Sequence, residues 1–357
     1  MAYPSTYSAW RRSPGTKGSK EQRLTINRTD NEPLPDTLQP KDVVIKIHAV
    51  SLNYREIAML IGTYPRDIES GGIPCSDAAA EVVAIGSAVQ RFAVGDRVAP
   101  ICRIGKLEPD DDGDSESIGV NVPGVLREYA LVQEKQVVRL PSNLSWEEGS
   151  TLACAALTAW NALDDLKYVP KNASALLQGT GGVSMCALLL CLSAGIRPII
   201  TSSSDEKLAA IKKLSPEIAG FNYKTVSDQG EEVKRFTNGR GVDFVVNNTG
   251  PGSLMEDIDF LCERGGTVSL VGFLDGFDGN WAPTDIMRLM WKSAKVKGIG
   301  IGSKAQFEDM NRYIEENKVR FDVLVNHRPF AFAEAKDAYA LLESGKFHGK
   351  IVIKVTE

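Results

Sequence analysis

The stretch LLQGTGGVSMCALLL (Leu176–Leu190) joins two apolar patterns of different kinds. ASALLQG is a short continuous apolar run, as a buried strand requires, and VSMCALLLCLSAG is long enough for a helix that Gly195 stops. Between them Gly179, Thr180, Gly181 and Gly182 bare the backbone. In a strand–turn–helix setting, two such glycines allow a tight turn and the close approach of a pyrophosphate. The helix N-terminus then presents oriented N–H donors to it. The third position of the pattern normally carries glycine or alanine so that helix and strand can pack. Ser184 stands there, only one hydroxyl larger than alanine. No Lys-Ser/Thr follows the glycines, so the loop is not a P-loop. A glycine-rich turn that binds nothing is the competing reading, and the surrounding strand–helix alternation favours a nucleotide.

That alternation extends outward from the loop. WEEGSTLACAALTAWNALDDL reads as one helix, RPIITSS as a strand and DEKLAAIKKL as a helix, followed by strands in VDFVVNNTG, GTVSLVGF and KVKGIGIG. Short apolar strands alternating with helices predict an α/β unit with a doubly wound parallel sheet. Upstream the rhythm is β. DVVIKIHAVSLN alternates Val44, Lys46 and His48 against Val43, Ile45 and Ile47, the period of a half-buried strand. AAAEVVAIGSAVQRFAVGDRVAP and GVLREYALVQEKQVVRLP continue it, and the acidic GKLEPDDDGDSESIGVNVPG reads as an exposed loop. The tail ends in one helix and one strand that return to the β-rich part. No internal repeat or low-complexity tract is present.

The end of the second strand bears on which dinucleotide is held. An acid about 20 residues beyond the glycines holds the ribose 2′-OH of NAD. Here the strand ends Thr201-Ser202-Ser203-Ser204, and no carboxylate precedes Asp205. Hydroxyls followed by Lys207 suit a 2′-phosphate, so NADP(H) is expected over NAD(H). Ser203 with Glu206 also forms a capping-box pattern, and the two roles are compatible.

The totals bound the rest. A chain of 357 residues, 43% apolar and 24% charged, is ordinary for a globular protein of two domains. A net charge of −5 gives no reason to expect nucleic acid or a membrane surface as partner. Cysteines 75, 102, 154, 186, 191 and 262 show no C-x-x-C spacing and read as reduced thiols. No apolar run approaches the ~20 residues of a membrane span, and the first residues contain no signal-peptide apolar core. A cytoplasmic location is the default expectation.

In combination, SLNYRE (Ser51–Glu56), VGDRV (Val94–Val98), LACAALTAW (Leu152–Trp160), QGTGGVS, NNTGPG and VGFL resemble the medium-chain dehydrogenase/reductase superfamily, in its zinc-independent, quinone-oxidoreductase-like branch. The resemblance runs from about Trp10 to Val355. It implies a GroES-like β-rich catalytic domain over residues 1–145 and 316–357, and a Rossmann NADP(H)-binding domain over 146–315. It places the ligands of the zinc-dependent relatives on Asn53, Ser76-Asp77 and Cys154, of which only Cys154 is a good zinc ligand, so no zinc is expected. Nor do His48, His327 and His348 replace the missing ligands. Cofactor contacts carried over position by position are Thr158 beside the nicotinamide and Gly179, Thr180, Gly181, Gly182 and Val183 at the pyrophosphate. Ser203, Lys207 and Tyr223 fall at the 2′-phosphate, and Asn248 with Gly272, Phe273 and Leu274 on loops at the strand ends. Ordinary packing is the alternative for Phe273 and Leu274. A homodimer through KVKGIGIG is also implied.

For chemistry, the resemblance implies hydride transfer from NADPH to an electron-poor carbon of an enone, a quinone or a carbonyl compound. Without a metal, the charge growing on oxygen needs hydrogen-bond donors. Asn53 and Tyr54 occupy the position of the polar active-site pair, and the phenol could also pass a proton. The alternative makes Asn53 a turn former and Tyr54 a core residue. Tyr64 is a second candidate, and Ile57, Met59, Leu60 and Trp281 would suit an apolar ligand or the core. Metal-free alcohol/carbonyl interconversion and cofactor binding with little catalysis are the competing functions.

Overall fold

The structure, a computed structural model, describes residues 3–19, 22–112, 116–325 and 328–356. Residues 113–115 of the acidic stretch and His327 lie outside them. The chain divides into two compact units, Met1–Leu157 with Gly302–Glu357, and Thr158–Ile301.

The first unit opens with an antiparallel hairpin of β1 (Thr6–Arg12) and β2 (Ile26–Pro33). β3 (Asp42–Ser51), β4 (Asp77–Ile85), β5 (Arg97–Pro100), β6 (Tyr129–Gln133) and β7 (Val137–Arg139) follow. The face of β3 carrying Val43, Ile45 and Ile47 is buried, as its alternation predicts. Its other face is not open to water as expected: Val44 is also buried, and the His48 ring stacks on Trp146 with centroids 4.2 Å apart. His48 Nε2 lies 3.3 Å from Glu81 Oε2, and burial lowers the imidazole's pKa. This histidine has a packing role.

The predicted helix from Trp146 is broken into a turn over Trp146–Gly149, a π-helical segment Leu152–Ala156 and an α-helix Leu157–Ala162. Its start is fixed by a reciprocal cap, with Ser145 Oγ accepting from Glu148 N and Glu148 Oε2 accepting from Ser145 N.

The second unit is built on β8 (Ser174–Leu177), β9 (Arg197–Ser202), β10 (Ala219–Asn222), β11 (Phe244–Asn247), β12 (Thr267–Leu270) and β13 (Lys295–Gly298). Every pairing is parallel, in the order β10-β9-β8-β11-β12-β13. β8 and β11 are buried throughout, which explains why they read as continuous apolar runs; β10, which the sequence pattern did not reveal, is buried as well. The order reverses between β8 and β11, and loops at the carboxyl ends there form the usual crevice of a doubly wound sheet.

The chain then returns to the first unit. Helix Lys304–Glu316, grouped with the nucleotide-type domain from sequence, belongs here: Phe307, Met310 and Ile314 are buried and Asn311 Nδ2 donates to Arg139 O. Strands β14 (Phe330–Ala331) and β15 (Val352–Lys354) complete a sheet ordered β14-β15-β3-β4-β5-β7, with β6 also on β3. Among the described residues no helix is long and apolar enough to cross a membrane.

Candidate functional site

The glycine loop leaves β8 at the point where strand order reverses. Gly179 has φ +77°, and a Cβ built there or at Gly181 meets nothing within 4 Å. The bare backbone therefore borders open space rather than packed protein. Gly181 is the N-cap of helix Gly182–Ser193 and supplies no side-chain cap, which leaves the first amides for another acceptor.

Ser184 has a specific task in its unexpected place. Its Oγ donates to Gln178 O at 2.7 Å and accepts from Asn248 Nδ2 at 3.0 Å. One hydroxyl thus ties the first helical turn to the end of β8 and to the loop after β11. Gln178 extends the tie: Oε1 accepts from Asn248 N (3.1 Å) and Thr249 Oγ1 (3.0 Å), and Nε2 donates to Asp257 Oδ1 at 2.7 Å. Asp257 also accepts from Asn247 Nδ2 and Ser253 Oγ. Burial pushes its carboxyl up to about 7 despite these donors. The sequence reading missed both Gln178 and Asp257; only the position of Gln178 directly before the glycines could have signalled it.

The expected loop residues after β12 meet the same network. Leu274 N donates to Asn248 O at 3.1 Å, and a Cβ at Gly272 would stand 2.6 Å from that oxygen. Gly272 is therefore required for loop-to-loop approach. Phe273 stacks on Phe277 with centroids 5.0 Å apart, and Leu274 is exposed. Thr158 is buried in helix Leu157–Ala162.

At the end of β9 the helix cap is Ser204, whose Oγ accepts from Lys207 N, and not the expected Ser203. Ser203 is exposed. The first carboxylate beyond the strand, Asp205, accepts from Asn222 Nδ2 at 3.1 Å. Tyr223 N donates to Ser202 O, which sets Tyr223 alongside this strand end with its ring exposed. Burial lowers the Lys207 pKa. Open loop, free helix amides and a strand end without a free acid fit a nicotinamide dinucleotide.

In the first unit, Asn53 and Tyr54 begin helix Tyr54–Leu60. Tyr54 is 42% exposed, so it is not a core residue, whereas Ile57, Met59 and Leu60 are buried in the core. Trp281, in the other unit, is held by its Nε1 donating to Pro251 O. Asn53 Oδ1 accepts from Lys350 Nζ at 2.6 Å, and Asn53 Nδ2 is buried without a partner. Such an unmet donor costs about 1–3 kcal/mol, and is tolerated where something else completes it. Lys350 Nζ lies 3.3 Å from Asp77 Oδ2, while Ser76 Oγ donates to Asp77 Oδ1 at 2.8 Å. Lys350 was not among the sequence candidates.

Cys154 lies in the π-helical segment, and burial raises its thiol well above the usual range, with Asp77 and Cys102 adding to the effect. Arg55 donates to Ile118 O and Cys102 Sγ, and Glu56 Oε2 accepts from Cys75 N at 3.2 Å. Burial raises the Glu56 carboxyl, with the Arg55 guanidinium opposing it. Glu56 thus accepts from both Arg55 Nε and a backbone amide. Burial also raises the Tyr64 phenol, which packs against the apolar core.

The positions expected to ligate zinc in related enzymes hold an amide (Asn53), a hydroxyl (Ser76), a carboxylate (Asp77) and a thiol (Cys154), and the Lys350 ammonium contacts the amide and the carboxylate. Among the described residues no group of three or more His, Cys, Asp or Glu side chains could hold a metal. This donor set does not fit zinc, because a divalent cation beside Lys350 would meet like charge in a buried place.

Family models match both units: residues 39–142 match the alcohol dehydrogenase GroES-like domain, and residues 182–316 the zinc-binding dehydrogenase domain. The chain is 34% identical to a zinc-type alcohol dehydrogenase-like protein of Schizosaccharomyces pombe, covering 90% of this chain and 93% of that protein. It is 26% identical to a 2-methylene-furan-3-one reductase of Solanum lycopersicum, over 99% of this chain and 80% of that one. A solved structure from Sinorhizobium meliloti 1021, provisionally described as an alcohol dehydrogenase, superposes with a TM-score of 0.85 at 30% identity, covering 97% of this chain and 99% of the other.

Proposed function

The chain belongs to the medium-chain dehydrogenase/reductase family of oxidoreductases, and from that premise we propose that it uses NADPH to reduce an electron-poor carbon of an enone, a quinone or a related carbonyl compound, without zinc. The observation that carries this reading is the open, uncapped loop Gly179–Val183 at the reversal of strand order. Its amides hold the pyrophosphate. Ser203, Lys207 and Tyr223 receive the 2′-phosphate, in keeping with a strand end whose first acid, Asp205, is engaged by Asn222. Thr158, Asn248 and the segment Gly272–Leu274 flank the nicotinamide.

Bound NADPH supplies the hydride. Asn53 Nδ2 donates to the oxygen on which negative charge develops; its unmet hydrogen-bonding capacity supports this role. The Tyr54 hydroxyl passes the proton, a role its exposed ring permits. The methylene ketone in the tomato relative's name supports the enone class. Two copies pair through β13, whose outer edge meets no described strand.

NADPH oxidation against a panel of enones, quinones, aldehydes and ketones tests the reading. Turnover of enones or quinones is expected, at least tenfold better with NADPH than with NADH, and unchanged after dialysis against a chelator. Tight NADPH binding with no turnover of any panel member overturns the catalytic reading. Stoichiometric zinc in the active protein, lost together with activity, overturns the metal-free one.

A further inference from the structure

Asn53 stands at the N-cap of helix Tyr54–Leu60 with extended backbone, yet its side chain makes no capping hydrogen bond. Asparagine at that position ordinarily turns its oxygen to the helix amides. Here the oxygen is diverted to Lys350 Nζ, 297 positions along the chain. The diversion is built into the backbone. Leu52 N donates to Ile351 O at 2.9 Å, and β15 runs antiparallel to β3 with Val352 opposite Ser51. The residues next to this bond, Asn53 and Lys350, are thereby set side by side.

An ammonium has three donors and no acceptor. An Asn53 amide turned the other way would set N–H against N–H, so Lys350 decides which end of the amide is left over. The Lys350 side chain is 2% exposed and that of Asp77 0%, and Asp77 is steadied by Ser76. The ammonium is thus held in place and its charge compensated. A hydrogen bond to an amide oxygen also polarises its N–H bonds and strengthens them as donors.

We propose that Lys350 is the positioning residue of the reaction: clamped by Asp77, it holds the Asn53 amide so that Nδ2 is presented to the developing substrate oxyanion. This rests on the reading that Asn53 donates to that oxygen. Lys350 acts through Asn53, so its loss should matter only while Asn53 is present.

The test is a mutant cycle on the full-length protein with NADPH and an enone that the wild type reduces. Lys350→Met alone leaves Asp77 buried and unpaired, which invites misfolding. Lys350→Met/Asp77→Asn removes both charges together. This pair is expected to melt within a few degrees of the wild type and bind NADPH equally well. Its kcat should fall about 10- to 100-fold, with KM for the enone changed less than about threefold. Asn53→Ala should lose a similar factor, and combining all three substitutions should cost nothing more. Losses that multiply in the combination overturn the inference, as does an unaffected kcat in the paired variant beside a crippled Asn53→Ala. An unaffected Asn53→Ala overturns the catalytic reading and this inference with it.

Discussion

Ser184 shows how one hydroxyl can replace the glycine of a dinucleotide loop without harm to it. A glycine there would allow helix and strand to pack but would forfeit both hydrogen bonds of the hydroxyl, leaving Gln178 O with the single donor Asn248 Nδ2. Ser184→Ala is therefore expected to lower stability by about 0.5–1.5 kcal/mol, read by urea unfolding, and to weaken NADPH binding severalfold. A change below about 0.5 kcal/mol would contradict this account. At Ser203 the expected change is in selectivity. Ser203→Asp sets a carboxylate where the 2′-phosphate is proposed to lie, so the NADPH-to-NADH ratio of kcat/KM should fall at least about tenfold, or 1.4 kcal/mol. An unmoved ratio would remove Ser203 from the phosphate site. The structure leaves Ser203 available for this role because the helix is capped by Ser204 instead.

Helix Leu254–Phe260 carries the one strongly raised carboxylate of the nucleotide-type network. Asp257 titrates near 7 in the folded chain against an ordinary value of 3.8. The folded state therefore binds this proton more tightly than the unfolded state does. The stability it contributes is complete below about 4 and is lost as pH rises to about 7. Relative to Asp257→Asn, which does not titrate, the wild type should lose thermal stability over that interval and hold a constant difference above it. Melting curves of both proteins from pH 4 to 8 check this, and a difference that does not vary with pH would refute it. Strands β8, β9, β11, β12 and β13 and the helices after β8 and β9 were legible from local apolar pattern, whereas β10, helix Gln229–Phe236 and helix Leu254–Phe260, short and mixed in polarity, were not. The segment from Trp146 to Ala162 was not, because a π-helical stretch has no distinguishing period in a sequence of small apolar residues.

At the edge of its sheet, β13 lies close in sequence to Met290 and Trp291, 62% and 73% exposed. Light scattering on eluted protein should give a dimer, and Met290→Lys/Trp291→Arg should shift it to monomer. A wild-type monomer would exclude pairing through this edge. The local pattern of residues was enough to determine the parallel sheet, the bare glycine turn that leads into a helix and the acid-free strand that follows, because periodicity and glycine placement act over a few positions. Only the tertiary structure decided that Asp257 closes on Gln178 and that Lys350 meets Asn53 and Asp77, from 297 and 273 positions away. Such meetings depend on which strands pair and in what register, and that is settled by burial summed over the fold, which leaves no mark on either neighbourhood alone.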